Sequence, residues 1–209
     1  MLDINIYKKL SHFDLHVQLK AQQERIVLFG PSGSGKTTVL NCIAGILHPD
    51  EGHIRLKEQT FFDSNDKRKK PTPIQKRKIG YLFQDYALFP HMTVEQNIAY
   101  GMKDPAIVKE LLDVVGIKHL LKTYPSNISG GEKQRVALVR ALATKPNALL
   151  LDEPFSALDD QTRCECQDEL LRIHNMWRIP MIIVTHHLGE ARKLGQRILK
   201  INDGTLIQE

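Results

Sequence analysis

The octapeptide Gly30-Pro-Ser-Gly-Ser-Gly-Lys-Thr37 constrains this 209-residue chain more than any other feature. It follows the apolar run RIVLF (25–29) directly and leads into TTVLNCIAGIL (37–47), so a strand, a glycine-rich loop and a helix succeed one another. A triphosphate needs many donors and little steric bulk. Glycines let backbone N–H groups wrap it at a helix N-terminus. Lys36 adds a point charge for phosphate oxygens, and the Thr37 hydroxyl is suited to ligating Mg²⁺. The expected nucleotide-binding residues are therefore Gly30, Pro31, Ser32, Gly33, Ser34, Gly35, Lys36, Thr37 and Thr38. The helix is expected to carry Val39, Leu40, Ile43 and Ile46 or Leu47 on one face until PDEG (49–52) closes it.

Short alternating apolar runs, INIY (4–7) and FDLHVQL (13–19), precede RIVLF and read as strands, and GHIRLKEQTFFD (52–63) and KIGYLFQ (78–84) read likewise. Between Pro90 and Thr144 the texture turns helical, with i, i+3, i+4 apolar spacing in TVEQNIAYGM, DPAIVKELLDVVGIKHLL and GEKQRVALVRALAT. NALLLDEP (147–154) and PMIIVTHH (180–187) read as parallel strands buried on both faces, with a helix over 160–177 between them. RILKINDGTLIQE (197–209) reads as a hairpin turning at Asn202, Asp203 and Gly204. The expected fold is α/β: a P-loop NTPase core with a parallel-rich sheet, an amino-terminal antiparallel β part and an inserted helical subdomain. One domain is expected over 1–209, with its core at 1–88 and 145–209 and the helical subdomain at about 89–144.

The chain carries 29 Lys and Arg against 24 Asp and Glu, and the net charge of +5 comes largely from NDKRKKPTPIQKRK (65–78). Pro71 and Pro73 interrupt this run and no aromatic residues are interleaved, so a solvated loop is expected rather than a nucleic-acid surface. No apolar stretch approaches the ~18 residues of a membrane span, and the N-terminus lacks a signal-peptide pattern. With a mean hydropathy of −0.29, a soluble, cytosolic protein is expected unless a partner tethers it. Cys42, Cys164 and Cys166 are expected to be reduced thiols.

In Ala-Leu-Leu-Leu-Asp152-Glu153-Pro an apolar strand ends in adjacent carboxylates. Successive strand side chains point to opposite faces, so the two acids are expected to divide the work. Asp152 suits Mg²⁺ or its water, and Glu153 suits a general base toward an attacking water. Ile128-Ser129-Gly130-Gly131-Glu132-Lys133-Gln134-Arg135 opens another helix, and a serine with two glycines there makes a second phosphate-binding N-terminus. With one P-loop per chain, such a clamp would act on nucleotide held by another copy, giving a head-to-tail dimer with two ATP at its seam. A plain N-capped helix is the alternative, and these residues alone leave both open.

These residues make the sequence similar to the ATP-binding-cassette (ABC) ATPases over nearly its whole length. GPSGSGKT resembles their Walker A motif, ISGGEKQR their signature and ALLLDEP their Walker B, in the family's order and approximate spacing. The resemblance implies ATP and Mg²⁺ as cofactors. It makes Gln84, in YLFQDYALFP, similar to the Q-loop glutamine that touches Mg²⁺ and the water and reports to a permease. Ser156-Ala-Leu-Asp159 resembles the D-loop at the dimer seam, and His186 resembles the switch histidine at the γ-phosphate, although the family often has Asp where His187 stands. The implied catalytic set is Glu153, His186 and Gln84; the implied metal set is Thr37, Gln84 and Asp152. Ser129, Gly130 and Gly131 would contact nucleotide, and the aromatic against adenine is Phe13 or Tyr7, with Phe13 preferred. The signature departs from the commoner pattern at Ile128 and Glu132 but keeps Ser129 and Gly131.

QDYALFPHMTVEQNIAYGM (84–102) is similar to the corresponding region of stand-alone importer ATPases, particularly those for molybdate, sulfate and related small solutes. This implies transmembrane permease subunits as partners, a solute-binding protein acting indirectly, a homodimer and a peripheral place on the cytoplasmic face of the membrane. The rival is a soluble ABC ATPase acting on nucleic acid or ribosomes, which typically shows a long coiled-coil insertion or tandem cassettes; neither is present here. A small-molecule kinase would explain the P-loop and leave the signature without purpose. Importer relatives often continue into a β-rich regulatory domain, whereas this chain stops at Glu209, so dimerisation is expected to depend mainly on ATP.

Overall fold

The computed structural model describes residues 1–66, 68 and 70–208; Lys67 and Lys69 of the basic run, and Glu209, lie outside the described residues. The apolar runs form β1 (Leu2–Lys9), β2 (Asp14–Ala21), β3 (Arg25–Phe29), β4 (Glu51–Leu56), β5 (Gln59–Asp63) and β6 (Ile79–Leu82). β7 (Ala148–Asp152), β8 (Met181–Thr185), β9 (Arg197–Asn202) and β10 (Thr205–Gln208) complete the strands. The helices are α1 (Lys36–Ala44), α2 (Val94–Ala99), α3 (Pro105–Val114), α4 (Gly130–Ala143), α5 (Asp160–Trp177) and α6 (Leu188–Leu194).

These strands make a ten-stranded sheet in the order β5-β4-β1-β2-β10-β9-β3-β8-β7-β6. From β9 to β6 the neighbours are parallel, and from β5 to β2 they are antiparallel. β10 joins the two halves, antiparallel to β9 and parallel to β2 through Thr205 and His16. The sheet is thus parallel-rich in its core and antiparallel in its amino-terminal part.

Strand alternation divides the core between the sheet's faces. Val27, Leu149, Leu151 and Ile183 join one cluster with residues of α2 to α6. Ile26, Leu28, Leu150, Ile182 and Val184 join the other with α1 and the amino-terminal strands. The helical segment therefore shares one hydrophobic core with the sheet. Among the described residues no helix is long and apolar enough to cross a membrane. All three cysteines are free, with Cys42 and Cys166 buried and Cys164 exposed.

Two local expectations are corrected, and one helix is added. α1 ends at Ala44 rather than at PDEG, because Gly45 takes a left-handed φ of +89° and turns its amide onto the Asn41 and Cys42 carbonyls. Ile46 and Leu47 consequently leave the helix face and are 44% and 38% exposed. The basic run is not solvated throughout: Arg77 is fully buried. Its Nη1 donates to the Cys42 and Ile43 carbonyls at 2.9 and 2.7 Å and its Nε to Thr72 at 2.9 Å, so it supplies a donor to Ile43 and a second one to Cys42 at the end of α1. Burial lowers its pKa to about 10. Finally, α6 has no counterpart among the sequence expectations; it follows His187 directly and packs against β3 and β8.

Candidate active site

The end of β3 delivers residues 30–35 to the N-terminus of α1, where Gly35 holds a φ of +99° that a residue with a side chain rarely adopts. Lys36 folds back over this loop, its Nζ donating to the Gly30 and Pro31 carbonyls at 2.9 and 2.7 Å. Desolvation pulls its pKa down, opposed by Glu153 and Asp152. Ser34 is buried, and its hydroxyl has no hydrogen-bond partner among the described residues.

Phe13, Ser32, Gly33, Gly35, Lys36, Thr37, Thr38, Gln84 and Glu153 line one cavity of about 460 Å³. Ser11 and His12, which no sequence signal singled out, line it too. Of the two aromatic alternatives, Phe13 lines the cavity, whereas the Tyr7 hydroxyl donates to Asp14 at 2.9 Å and its ring meets His16 edge-on.

The adjacent acids separate by a backbone turn rather than by strand alternation. β7 ends at Asp152, and Glu153 takes a φ of +43°, unfavourable for a residue with a side chain. Its amide still donates to Val184 at 3.0 Å, which anchors the turn to β8. Asp152 is buried beneath the loop, accepting from the Thr37 hydroxyl at 3.0 Å, with the Tyr81 hydroxyl 3.4 Å away. Burial raises the Asp152 pKa, against the opposing hydrogen bond from Thr37. Tyr81 is a site neighbour that the sequence reading did not pick out.

Glu153 faces two other expected residues. Its Oε1 lies 3.1 Å from His186 Nδ1, and its Oε2 accepts from Gln84 Nε2 at 3.5 Å. The His187 ring lies against that of His186, with centroids 4.1 Å apart. A carboxylate held between an amide and an imidazole at a cavity edge can orient water and take its proton.

Ser129, Gly130 and Gly131 stand outside this cavity, at the start of α4. Ser129 caps the helix: its hydroxyl accepts from the Glu132 amide at 3.4 Å, while its own amide and hydroxyl donate to Glu132 Oε2 at 2.8 Å each. Glu132, where the signature departs from the commoner pattern, thus collects both Ser129 donors on one carboxylate oxygen.

The donors nearest the loop suit a hard cation. Thr37 offers a hydroxyl, Asp152 a carboxylate short of compensation and Gln84 an amide, while no cluster of three or more His, Cys, Asp or Glu with metal-holding geometry occurs among the described residues. Few protein oxygens, with room beside them, fit Mg²⁺ shared with phosphate oxygens and water rather than an all-protein cage.

Fold and site together define a P-loop nucleotide-binding domain of the α/β class. The profile of the ABC transporter family matches residues 13–156, and the chain belongs to that family. The molybdenum import ATP-binding protein ModC of Haemophilus influenzae is 44% identical over 207 residues, covering 98% of this chain and 58% of that protein. The molybdate/tungstate import ATP-binding protein WtpC of Archaeoglobus fulgidus is 40% identical over 214 residues, covering 100% of this chain and 86% of that protein. The chain thus spans little more than half the length of the bacterial molybdenum relative. A dimeric, post-hydrolysis structure of the ATP-binding cassette MJ0796 bound to ADP and Pi matches with a TM-score of 0.78 at 29% identity, covering 100% of this chain and 98% of that one.

Proposed function

We propose that this chain is the ATP-hydrolysing subunit of an importer for molybdate, tungstate or a related oxyanion. It works as a head-to-tail pair on the cytoplasmic face of the membrane, beneath separate permease subunits that receive solute from a binding protein outside. The observation that carries this reading is that Lys36, Thr37, Gln84 and Glu153 line one cavity while Ser129 stands outside it. A phosphate clamp without a phosphate loop of its own to serve makes sense across a dimer seam.

In this reading Lys36 and the loop amides hold the β- and γ-phosphates, and Phe13 covers the base. Thr37, Asp152 and Gln84 would hold Mg²⁺, which when bound neutralises charge on the phosphate oxygens. Glu153 draws the proton from a water as its oxygen adds to the γ-phosphorus and the bridging P–O bond to ADP breaks. His186 orients the Glu153 carboxylate and meets the γ-phosphate, and the partner's copy of the Ser129–Gly131 turn closes the far side. Residues 1–88 and 145–209 act as the catalytic core and about 89–144 as the helical subdomain, with Gln84 at the boundary between them. That position supports a route from the phosphates to a permease.

The test is ATP-dependent uptake into vesicles containing the permease encoded beside this chain's gene, with and without the purified chain. Molybdate or tungstate uptake that requires both proteins and ATP is expected. Hydrolysis stimulated by nucleic acid or ribosomes and indifferent to the permease would overturn the transport reading in favour of a non-transport ATPase.

A further inference from the structure

Two buried charged atoms face each other without forming a hydrogen bond. Arg163 Nε, on α5, and Glu190 Oε1, on α6, are 3.6 Å apart, and neither has a hydrogen-bond partner among the described residues. A buried charge left at ion-pair distance without a hydrogen bond is costly, which makes this contact an unusual place to leave slack.

The remaining atoms of the pair are engaged in opposite directions. Glu190 Oε2 accepts from the Thr185 hydroxyl at 2.6 Å, and Thr185 Oγ1 accepts in turn from the His187 amide at 3.0 Å. Glu190 therefore holds the end of β8 on both sides of His186. Arg163 Nη2 donates to the Leu158 carbonyl and Nη1 to Asp160 Oδ1, each at 2.7 Å. Arg163 therefore holds the turn that leads from Glu153 into α5. The Ser129–Gly131 turn seats on that same segment: a Cβ at Gly131 would lie 2.4 Å from Thr162 Cγ2, and one at Gly130 3.5 Å from Leu158 Cδ2.

We propose that Arg163 and Glu190 are positioning residues forming a joint between the His186 end of β8 and the surface made by residues 156–160 and the Ser129–Gly131 turn. This rests on reading the cavity as an ATP site and Ser129 as serving a second copy. Its consequence is directional. When His186 engages the γ-phosphate, the end of β8 carries Glu190 with it, the 3.6 Å gap closes to hydrogen-bond length, and Arg163 draws the 156–160 turn and the seated α4 terminus into the position that meets the partner's nucleotide. A chain holding ADP, with no γ-phosphate for His186, leaves the joint slack.

The test uses the full chain and the variants Glu190→Gln, Arg163→Gln, their combination and the conservative Arg163→Lys. Glu190→Gln keeps an acceptor for Thr185 and removes only the charge. Three readouts are compared: ATP affinity of the single chain by titration with a fluorescent ATP analogue, ATP-driven dimerisation by light scattering in a Glu153→Gln background, and turnover at saturating ATP. Each single substitution to Gln is expected to lower dimerisation and turnover by roughly tenfold while single-chain ATP affinity stays within about twofold. The combined variant is expected to be no worse than either single, because both break one joint, and Arg163→Lys to fall between Arg163→Gln and the parent. The proposal is overturned if single-chain affinity falls in step with dimerisation, since the pair would then merely support the fold, or if the two losses multiply in the combined variant. Unchanged dimerisation would overturn it too. A parent chain that binds no ATP overturns the nucleotide-site reading beneath it, a result separable from these because it appears before any substitution.

Discussion

The Thr37 hydroxyl donates to Asp152 Oδ1 at 3.0 Å, tying the first turn of α1 to the last residue of β7 across 115 positions of sequence. The phosphate loop and the acidic strand end are therefore tied into one unit. Because burial raises the Asp152 pKa, this hydrogen bond only partly compensates the carboxylate, and a cation shared between the two oxygens would complete it.

Lys36→Ala should remove ATP hydrolysis to background and weaken ATP binding by at least about tenfold. The ammonium is the loop's only side-chain cation, and its loss also removes a donor from each of the Gly30 and Pro31 carbonyls. Calorimetric titration and phosphate release measure the two effects separately. Turnover equal to the unaltered chain would show that this loop is not the nucleotide site.

Arg77→Met should destabilise the fold by about 2–4 kcal/mol, because the carbonyls of Cys42 and Ile43 lose a buried charged donor that methionine only fills in volume. Urea unfolding monitored by circular dichroism is the measurement. A loss under about 0.5 kcal/mol would mean that the end of α1 is satisfied without Arg77.

Arg77 also marks where sequence reading stopped. Its neighbours in 65–78 are charged and proline-broken, and nothing local distinguishes Arg77, which turns inward to cap a helix 34 and 35 positions away. β3, β7 and β8 were legible because strands buried on both faces must be apolar throughout. The phosphate loop was legible because its glycines answer a local requirement. The join of β10 to β2 through Thr205 and His16 is a long-range pairing with no sequence period of its own, and the seven residues of α6 are too few to establish one. Strand alternation was expected to part Glu153 from Asp152, but the turn that aims Glu153 depends on a left-handed φ that an ordinary Glu-Pro pair does not announce.

Glu132→Gln should make the stability of α4 less dependent on pH. The Ser129 amide and hydroxyl both donate to Glu132 and hold its carboxyl below the ordinary 4.5. A folded pKa below the unfolded one gives stability that is present above pH 4.5 and lost as pH falls through the folded value. The variant should therefore be less stable than the unaltered chain by about 0.5 kcal/mol at neutral pH, a modest figure because the pair lies near solvent. That gap should close at a pH low enough to protonate the folded carboxyl, below the ordinary range. Urea titrations at both pH values test this, and a gap that stays constant would remove the charge from the capping argument.

Glu153→Gln is the sharpest test of the site. The glutamate divides its oxygens between His186 at 3.1 Å and Gln84 at 3.5 Å, and glutamine keeps the shape while losing the base. Removing a general base lowers a rate by ~10² to 10⁴, so hydrolysis should fall to near background. ATP binding should survive, since Lys36 and the Thr37–Asp152 pair are untouched. ATP bridging two chains is then no longer consumed, and a ligand that favours the dimer draws the population toward it. The variant should accordingly elute as a dimer with Mg-ATP and as a monomer with ADP, whereas the unaltered chain should show the dimer only transiently. Gel filtration with in-line light scattering reads both states. Normal hydrolysis in the variant would eliminate Glu153 as the base. An inactive variant that binds ATP yet stays monomeric would count against the two-ATP seam, because the nucleotide site would then be intact while the clamp supplied by Ser129 had nothing to close on.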